Sequence, residues 1–196
     1  EFMHRGTFVC NGMTGNGTHS QKPGTWSDDT SMTLATCKSI KENKGISTKD
    51  ITEKFSDWLN KGEYTPDCIV FDCGITTSNA IKNGVGASDF YSNGNGSLMR
   101  ILPLAFTNCD NEEINYVSAI THAHEISQEG CRIYVEIARN LLSGQKLVNA
   151  IKSIKTSKTY SRIKKLDNIS EADISSSGYV VDTLEASLWC ILNTDN

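Results

Sequence analysis

The sequence predicts an all-α protein made of several helices. Apolar residues recur at the three- and four-residue spacing of amphipathic helices in five separate stretches. Several of these stretches begin at Ser, Thr, Asp or Asn and end at Gly, as capped helices do. Convincing alternation with a period of two, which marks half-buried strands, is absent from the sequence.

The first two predicted helices follow each other closely. Residues 30–45, TSMTLATCKSIKENKG, place apolar side chains on one side at Met32, Leu34, Cys37 and Ile40. Residues 47–62, STKDITEKFSDWLNKG, begin with a Ser/Thr cap and end at Gly62. Their apolar stripe has the i, i+4, i+7, i+8 spacing of a helix face, at Ile51, Phe55, Trp58 and Leu59.

Three further helices are predicted in the second half of the chain. Residues 110–126 begin with Asp110 or Asn111 as a cap and carry acids in the first turn. Residues 128–144, QEGCRIYVEIARNLLSG, end at Gly144. Residues 176–193 begin at a serine cluster and place apolar side chains at Val181, Leu184, Leu188 and Ile191.

Composition narrows the class of protein. The 196 residues are enough for a single domain spanning 1–196. No apolar run approaches the length of a membrane span, and the N-terminal EFMHRGTF lacks the apolar region of a signal peptide. A net charge of −4 argues against nucleic-acid binding. Seven irregularly spaced cysteines without a CxxC pair favour a reduced, cytoplasmic protein without a disulfide framework or a zinc site.

Two adjacent carboxylates precede the first predicted helix, in the run Ser27-Asp28-Asp29-Thr30. One interpretation is an N-cap, since Ser and Asp accept hydrogen bonds from free helix N–H groups. One Asp suffices for that role, and two adjacent carboxylates repel each other. The other interpretation is therefore a site for Mg²⁺ or Ca²⁺, which prefer oxygen ligands and would relieve the repulsion.

A glycine- and asparagine-rich loop spans residues 83–97 and ends in SNGNGS. Gly94 and Gly96 let the backbone approach a ligand closely, and polar donors surround them at Ser92, Asn93, Asn95 and Ser97. A helix is expected to begin near Ser97, so its free N–H groups could hold a phosphate. A plain turn without a ligand explains the composition equally well. Arg100 could reach a phosphate or form an ion pair.

Two single positions are ambiguous from the residues alone. His122 and His124 are two residues apart on a predicted helix, so they point to different sides and cannot bind one metal together. Either could face a pocket or lie on the surface. Tyr179, at the start of the last predicted helix, could stack on a base or sugar or pack in the core.

Four motifs in this order resemble the ADP-ribosylglycohydrolase family. They are MTGNGTHSQKPGTWSDDTSMTL, NGNGSLMRILPLAF, ITHAHEISQEGCRIY and GYVVDTLEASLWCILNT, and they extend over nearly the whole chain. The resemblance implies an all-α fold, a compact orthogonal bundle of many helices, which agrees with the predicted helices. It also implies hydrolysis of the glycosidic bond between ADP-ribose and a modified protein side chain, at a site with two Mg²⁺ ions.

The resemblance carries specific roles onto this sequence. Ser27, Asp28 and Asp29 match the family's metal ligands, and the two aspartates would also serve catalysis. The loop Ser92, Asn93, Gly94, Asn95, Gly96 and Ser97 matches the segment that holds the phosphates and ribose of ADP-ribose. His122 and Tyr179 match positions beside the same ligand. The expected partner is an ADP-ribosylated protein or ADP-ribose itself.

This sequence departs from the family pattern at both ends. The family completes its metal site with a Gly-Gly-Asp-Thr-Asp-Thr-like segment, whereas this sequence stops at LNTDN. The family also has an earlier helix and a loop ending in Glu-Phe, which Glu1 and Phe2 match unless they are a cloning remnant. Glu1 is the candidate acid/base or ribose-orienting residue. We therefore expect a fragment that lacks the first helix and the C-terminal metal-binding segment.

An incomplete metal site leaves a second function open. The chain could bind ADP-ribose without catalysis, or act as a structural protein like the crystallin-like members of the family. Retained affinity for ADP-ribose without metal-dependent turnover would favour this alternative.

Overall fold

Helices form nearly all of the regular structure in the computed structural model, which describes residues Thr7, Val9 and 11–194. The described residues contain no β-strand, only two isolated backbone bridges, Ala87 with His122 and Gly94 with Tyr179. The all-α prediction is confirmed. The α-helices, in chain order, are α1 Asp28–Asn43, α2 Thr48–Lys61, α3 Ile75–Asn83, α4 Asn111–Ala119, α5 Glu125–Leu142, α6 Leu147–Ser153 and α7 Val180–Asn193.

The caps of α2 show why its bounds were predictable. The Ser47 hydroxyl accepts from the backbone N–H of Asp50, and Gly62 ends the helix in the left-handed conformation. Ile51, Phe55 and Trp58 are buried on one side, as the apolar spacing predicts.

The helices α1, α5 and α7 are confirmed, with ends shifted by up to four residues. The apolar sides predicted for α1 and α7 are wrong in part, because Leu34, Cys37 and Ile191 are exposed. Leu34 lies only two positions from the buried Met32 and therefore faces another side of the helix.

The predicted helix over residues 110–126 is wrong in its second half. The capping box of Asp110 and Glu113 is present, but α4 ends at Ala119. Thr121 and Ala123 instead pair with Ala87, whose N–H donates to Thr121 and whose carbonyl accepts from Ala123. This backbone pairing with a distant segment overrides the local periodicity. It takes His122 out of a helix and leaves His124 as the N-cap of α5.

Three short 3₁₀ segments lie in the middle of the chain, between α3 and α4: Phe90–Ser92, Leu98–Arg100 and Leu102–Phe106. The helix predicted to begin near Ser97 does begin there, but as a single 3₁₀ turn, Leu98–Arg100, and not as an α-helix. Pro103 cannot donate a backbone hydrogen bond and disfavours the α conformation at the residue before it, which limits helix growth here. Two further 3₁₀ segments, Ser161–Asn168 and Glu171–Asp173, precede α7.

Two hydrophobic cores lie on either side of α5. The first joins α1, α2 and α4 and is built from residues such as Met32, Phe55, Trp58 and Val117. The second joins α6, α7 and the 3₁₀ segment Ser161–Asn168 and includes Tyr160, Leu184 and Leu188. α5 contributes Cys131, Val135 and Ala138 to the first core and Ile133 and Ile137 to the second. It therefore holds the two halves of the chain together.

Within the described ranges, none of the helices has both the length and the apolar character needed to span a bilayer.

Candidate active site

One cavity of about 370 Å³ gathers residues from four separate stretches of the chain. We call Asp28, Asp29 and Asp72 the acidic wall, and Gly94, Asn95, Gly96 and His122 the loop wall. The remaining lining residues are Gly74, Ile75, Thr76, Thr77 and Met99. Residues predicted to take part in catalysis or ligand binding thus meet at one place, although up to 94 positions of sequence numbering separate Asp28 from His122.

The acidic wall begins at the first turn of α1. Asp28 is buried, whereas Asp29 is exposed. Ser27 occupies the N-cap position, but its side chain makes no capping hydrogen bond and its hydroxyl instead lies 3.5 Å from the Asp29 carboxylate. Side-chain capping by Ser27 therefore does not explain why Ser27, Asp28 and Asp29 occur together. Asp28 and Asp29 line the cavity, and the Ser27 hydroxyl lies beside them without being part of its lining.

The electrostatics of the acidic wall are unfavourable without a cation. Burial, followed by repulsion from Asp29 and Asp72, raises the pKa of Asp28 to about 7. In the described part of the chain, no lysine or arginine forms an ion pair with Asp28 or Asp29. The arrangement can bind a cation or hold a proton near neutral pH.

Asp72 is a site residue that the sequence analysis missed. It adopts a left-handed backbone conformation with φ of 57°, two residues before Gly74, the N-cap of α3. His19 Nε2 lies 3.3 Å from its Oδ1, and the His19 ring packs against Phe71. The sequence feature that could have drawn attention to Asp72 is the run FDCG, which directly precedes α3. Residues 72 and 29 have no regular spacing, so only the fold shows that they share a cavity.

The donor set of the acidic wall fits part of a magnesium site. Carboxylate and hydroxyl oxygens are the ligands that Mg²⁺ prefers, and no lysine or arginine among the described residues neutralises Asp28 or Asp29. Across the described residues, however, no three His, Cys, Asp or Glu side chains converge closely enough to hold a metal together. Ser27, Asp28 and Asp29 therefore form an incomplete ligand set. Glu1, the other predicted catalytic residue, lies outside the described residues.

The loop wall is attached to the start of α7 by its backbone. The Asn95 N–H donates to the Gly178 carbonyl at 3.1 Å, and the Val180 N–H donates to the Asn93 carbonyl at 2.9 Å. The Asn95 side-chain amide also donates to the Thr183 hydroxyl at 3.3 Å. These bonds fix Gly94 and Gly96 at the cavity surface, where the absence of side chains leaves the backbone accessible.

Three side chains of this loop that were predicted to contact a ligand form hydrogen bonds with the protein instead. The Ser92 hydroxyl donates to Asp89 at 2.6 Å. Asn93 is buried, and its side-chain oxygen accepts from Ser127 at 2.8 Å. The buried Ser97 hydroxyl accepts from Ser118 at 3.0 Å. These side chains hold the loop in place but do not line the cavity, so a direct contact with a ligand stays a prediction for each of them.

Tyr179 also lies outside the cavity lining. It is half-buried at the N-cap position of α7 and packs against the second core. Its backbone is paired with Gly94 across an antiparallel bridge. Core packing, one of the two roles left open by the sequence, describes its side chain. Its contact with a ligand stays a prediction.

His122 lines the cavity from a buried position. Its Nδ1 lies 2.9 Å from the Thr121 hydroxyl, and its Nε2 faces the side where Gly94 and Gly96 lie. Burial, and secondarily the nearby Arg100, lowers the pKa of His122 to about 4, so the ring is neutral at physiological pH. His124, by contrast, accepts from the Ile126 N–H and does not line the cavity.

Neither role predicted for Arg100 matches its environment. The side chain is fully buried and forms no ion pair with a described residue. It is also absent from the cavity lining. Its guanidinium instead bonds the Val117 carbonyl and the Thr121 hydroxyl behind His122.

Comparison with known proteins identifies the relatives of this chain. A family model described as ADP-ribosylglycohydrolase matches residues 1–196. A protein of Serratia proteamaculans named ADP-ribosylarginine hydrolase Tri1 is 30% identical over all of this chain and 58% of its own length. A protein of Rhodospirillum rubrum named ADP-ribosyl-[dinitrogen reductase] glycohydrolase is 30% identical over 74% of this chain and 52% of its own length.

A solved structure described as an "ADP-ribosylglycohydrolase-related protein complex" has the same fold. It superposes with a TM-score of 0.77 at 24% identity, covering 97% of this chain and 68% of that chain. The chain thus spans little more than half the length of the two relatives named above.

Proposed function

The chain belongs to the ADP-ribosylglycohydrolase family, and on that premise we propose that its cavity hydrolyses the glycosidic bond between ADP-ribose and a modified protein side chain. The observation that carries this proposal is the pairing of two different walls in one cavity. Unneutralised carboxylates, including Asp28 with a pKa of about 7, face a glycine-rich loop and the neutral His122. Such a pair suits a substrate with a reactive sugar carbon and a diphosphate.

The acidic wall would carry the chemistry. Hydrolysis requires a leaving group to depart from the anomeric carbon and a water to attack it. In the chain without metal the Asp28 carboxyl has a pKa of about 7. With Mg²⁺ bound, Asp28 would be ionised and would help to position the attacking water. Asp29 and Asp72 would stabilise positive charge that develops on the sugar ring.

Ser27, Asp28 and Asp29 are the proposed protein ligands of a two-magnesium site. Mg²⁺ bound there supplies a Lewis acid and a water of lowered pKa. Two observations support this assignment: their oxygens are close together, and no cationic side chain in the described part of the chain pairs with the two aspartates.

The loop wall would bind the nucleotide. Gly94 and Gly96 admit close approach of a diphosphate to the backbone, and the neutral His122 offers a ring nitrogen to an oxygen atom. Asn95 and the segment around Tyr179 would fix the remaining part of ADP-ribose. An arginine-linked ADP-ribose is the first substrate to test, because the Serratia relative is named for that activity.

We place the reaction in the cytoplasm. The six cysteines in the described residues are all free thiols, which suits a reducing compartment.

The test is calorimetric titration of ADP-ribose into this chain with and without MgCl₂, together with release of free ADP-ribose from an ADP-ribosylated arginine substrate. We expect binding that Mg²⁺ strengthens and release that requires Mg²⁺. Ribose 5-phosphate, which lacks the adenosine and the diphosphate, is the control ligand and should bind far more weakly. Absence of both binding and release in this chain would contradict the proposal for it.

A non-catalytic ADP-ribose binder is the second candidate. The lack of three converging metal-ligating side chains in the described residues favours it. Binding of ADP-ribose that Mg²⁺ leaves unchanged, without any release of ADP-ribose from the modified substrate, would distinguish this candidate from the hydrolase.

A further inference from the structure

A buried cation lies directly behind the loop wall. The guanidinium of Arg100 is fully buried, and no carboxylate of the described residues pairs with it. The Phe55 ring, 4.6 Å away, and the Val117 carbonyl stabilise it. Its Nε has no hydrogen-bond partner among the described residues. A buried charge is costly, so a cation kept here without an anion points to a role beyond packing.

Thr121 connects this cation to the cavity. Arg100 Nη2 donates to the Thr121 hydroxyl at 2.8 Å, which occupies one lone pair of that oxygen. The hydroxyl still carries one hydrogen to donate. Among the described residues, the remaining polar neighbour within hydrogen-bonding distance of that oxygen is His122 Nδ1, at 2.9 Å. The hydroxyl therefore donates to Nδ1, because both groups are buried and an unused donor would cost free energy.

This direction of donation determines where the proton of His122 lies. A neutral imidazole carries one N–H, and the bond made by one nitrogen decides which nitrogen holds the hydrogen. Since Nδ1 accepts from Thr121, the hydrogen must be on Nε2. Nε2 faces the glycines of the loop wall: a Cβ added at Gly96 would lie 3.3 Å from it, and one added at Gly94 would lie 3.7 Å from it.

We propose that Arg100 and Thr121 are positioning residues that hold His122 as its Nε2–H tautomer, which makes the ring a hydrogen-bond donor to an anionic oxygen of the ligand in the cavity. This inference rests on the proposed function for the identity of the ligand, a diphosphate-containing nucleotide. The buried cation polarises the Thr121 hydroxyl and, through it, the His122 N–H. Burial keeps His122 neutral, so the ring donates without carrying a full charge.

The tautomer itself is measured by NMR of the chain labelled with ¹⁵N-histidine, without any ligand. Long-range proton–nitrogen correlations distinguish Nε2–H from Nδ1–H rings, and His122→Gln identifies the signals of His122 among the four histidines. We expect the Nε2–H form in the wild-type chain. A ring with the hydrogen on Nδ1, or a mixture of both forms, would overturn the proposal, whatever the chain does with ADP-ribose.

Thr121→Val removes the hydroxyl while keeping the shape of the side chain. We expect the His122 signals to change to a mixture of tautomers and the affinity for ADP-ribose to fall roughly 10-fold. Thr121→Ser keeps the hydroxyl, so we expect the wild-type tautomer of His122 and the wild-type affinity for ADP-ribose. The matched control is Thr36→Val, since Thr36 is equally buried but its hydroxyl donates to Met32 within α1. An unchanged His122 tautomer in Thr121→Val would overturn the proposal.

The two measurements also separate this inference from the proposed function. Suppose the wild-type chain has the Nε2–H ring but no affinity for ADP-ribose. That result would contradict ADP-ribose as the ligand, and therefore also the role of His122 as a donor to it. An Nδ1–H ring in a chain that binds ADP-ribose would contradict the positioning role of Arg100 and Thr121 and leave the proposed function standing.

Discussion

The acidic wall and the loop wall of the cavity satisfy their polar groups in different ways. Asp28 and Asp29 repel each other and have no cationic partner in the described chain. On the loop wall, Asn95 bonds Gly178 and Thr183, and the adjacent Asn93 bonds Ser127 beneath the cavity surface. One wall is electrostatically incomplete, and the other is fixed by the protein itself.

This difference indicates where binding energy and chemistry reside. A preorganised wall loses little conformational freedom when a ligand binds, so it suits recognition of a constant group. A wall of repelling carboxylates is stabilised only when protons or cations arrive, so its properties change with pH and with metal. Variants on the acidic wall should therefore lower the rate of ADP-ribose release more than the free energy of unfolding. Variants on the loop wall should lower both the affinity for ADP-ribose and the free energy of unfolding.

Asp28→Asn carries the largest expected effect. It removes a carboxylate but keeps its shape, so we expect release of ADP-ribose from a modified substrate to fall about 100-fold or more. The free energy of unfolding should not fall, because repulsion with Asp29 is relieved. Hydrolysis assays and urea unfolding check the two expectations. Asp57→Asn on α2, whose exposed carboxylate pairs with Lys61, is the control. Equal losses of activity in both variants would contradict a catalytic role for the acidic wall.

Gly96→Ala should disturb the loop wall. The added Cβ would lie 2.7 Å from both His122 Cε1 and Thr77 Oγ1, closer than such atoms normally approach. We expect a loss of about 1–3 kcal/mol in the free energy of unfolding and about 10-fold in affinity for ADP-ribose. Gly74→Ala, in the same cavity, is the control, because its Cβ would meet only Thr77 Oγ1 at 3.9 Å. Comparable losses in the two variants would show that the close approach at Gly96 is unimportant.

The stability of the acidic wall should depend on pH. The pKa of Asp28 rises from 3.8 to about 7 on folding, so the folded chain binds more protons than the unfolded chain between these values. The free energy of unfolding contributed by Asp28 therefore decreases as pH rises from about 4 to about 7, and then levels off. Because the site is partly open to solvent, we expect about 1–2 kcal/mol rather than the full shift.

Urea unfolding of the wild type and of Asp28→Asn at several pH values measures this contribution as a difference. The difference should grow over that interval and shrink when Mg²⁺ is added at pH 8, because a ligand that binds only the folded chain stabilises it. A difference that is constant with pH would show that the Asp28 carboxyl has an ordinary pKa.

Ser127→Ala carries the smallest expected effect. It removes the 2.8 Å hydrogen bond to the Asn93 side chain and leaves a buried oxygen unpaired. We expect a loss of about 1 kcal/mol in the free energy of unfolding, with a smaller loss of affinity for ADP-ribose than in Gly96→Ala. Ser187→Ala on α7 is the control, since that exposed hydroxyl bonds only its own helix. If both variants unfold at the same urea concentration, the Asn93 bond does not stabilise the loop.

Local signals predicted the helices that have caps at both ends. Ser47 and Gly62 enclose α2, so both of its ends were located from neighbouring residues. Only the end of α5, shortly before Gly144, was located in this way, because its N-cap is His124. The end of α4 could not be found this way. Apolar periodicity continues to Ile120, and the helix stops only because residues 121–123 pair with Ala87.

The candidate site was predictable only in part for the same reason. Asp28, Asp29, Gly94 and Gly96 stand in short motifs whose composition is unusual, and the cavity contains all four. Asp72 stands in no such motif and is brought to the cavity by the packing of α3. The role of Arg100 also depends on the fold, since only the structure places Phe55 and Thr121 around it.

The hydrogen bonds that hold the loop wall have a consequence for how the chain folds. Asn93 and Ser127 are 34 residues apart, and Asn95 and Thr183 are 88 residues apart. Contacts of this separation close large loops and form slowly compared with the helices themselves. During synthesis, Asn95 lacks its partner until Thr183 has left the ribosome. A nascent chain can thus form α1 and α2 early, yet it acquires a finished nucleotide-binding surface only when translation has passed nearly the whole described sequence.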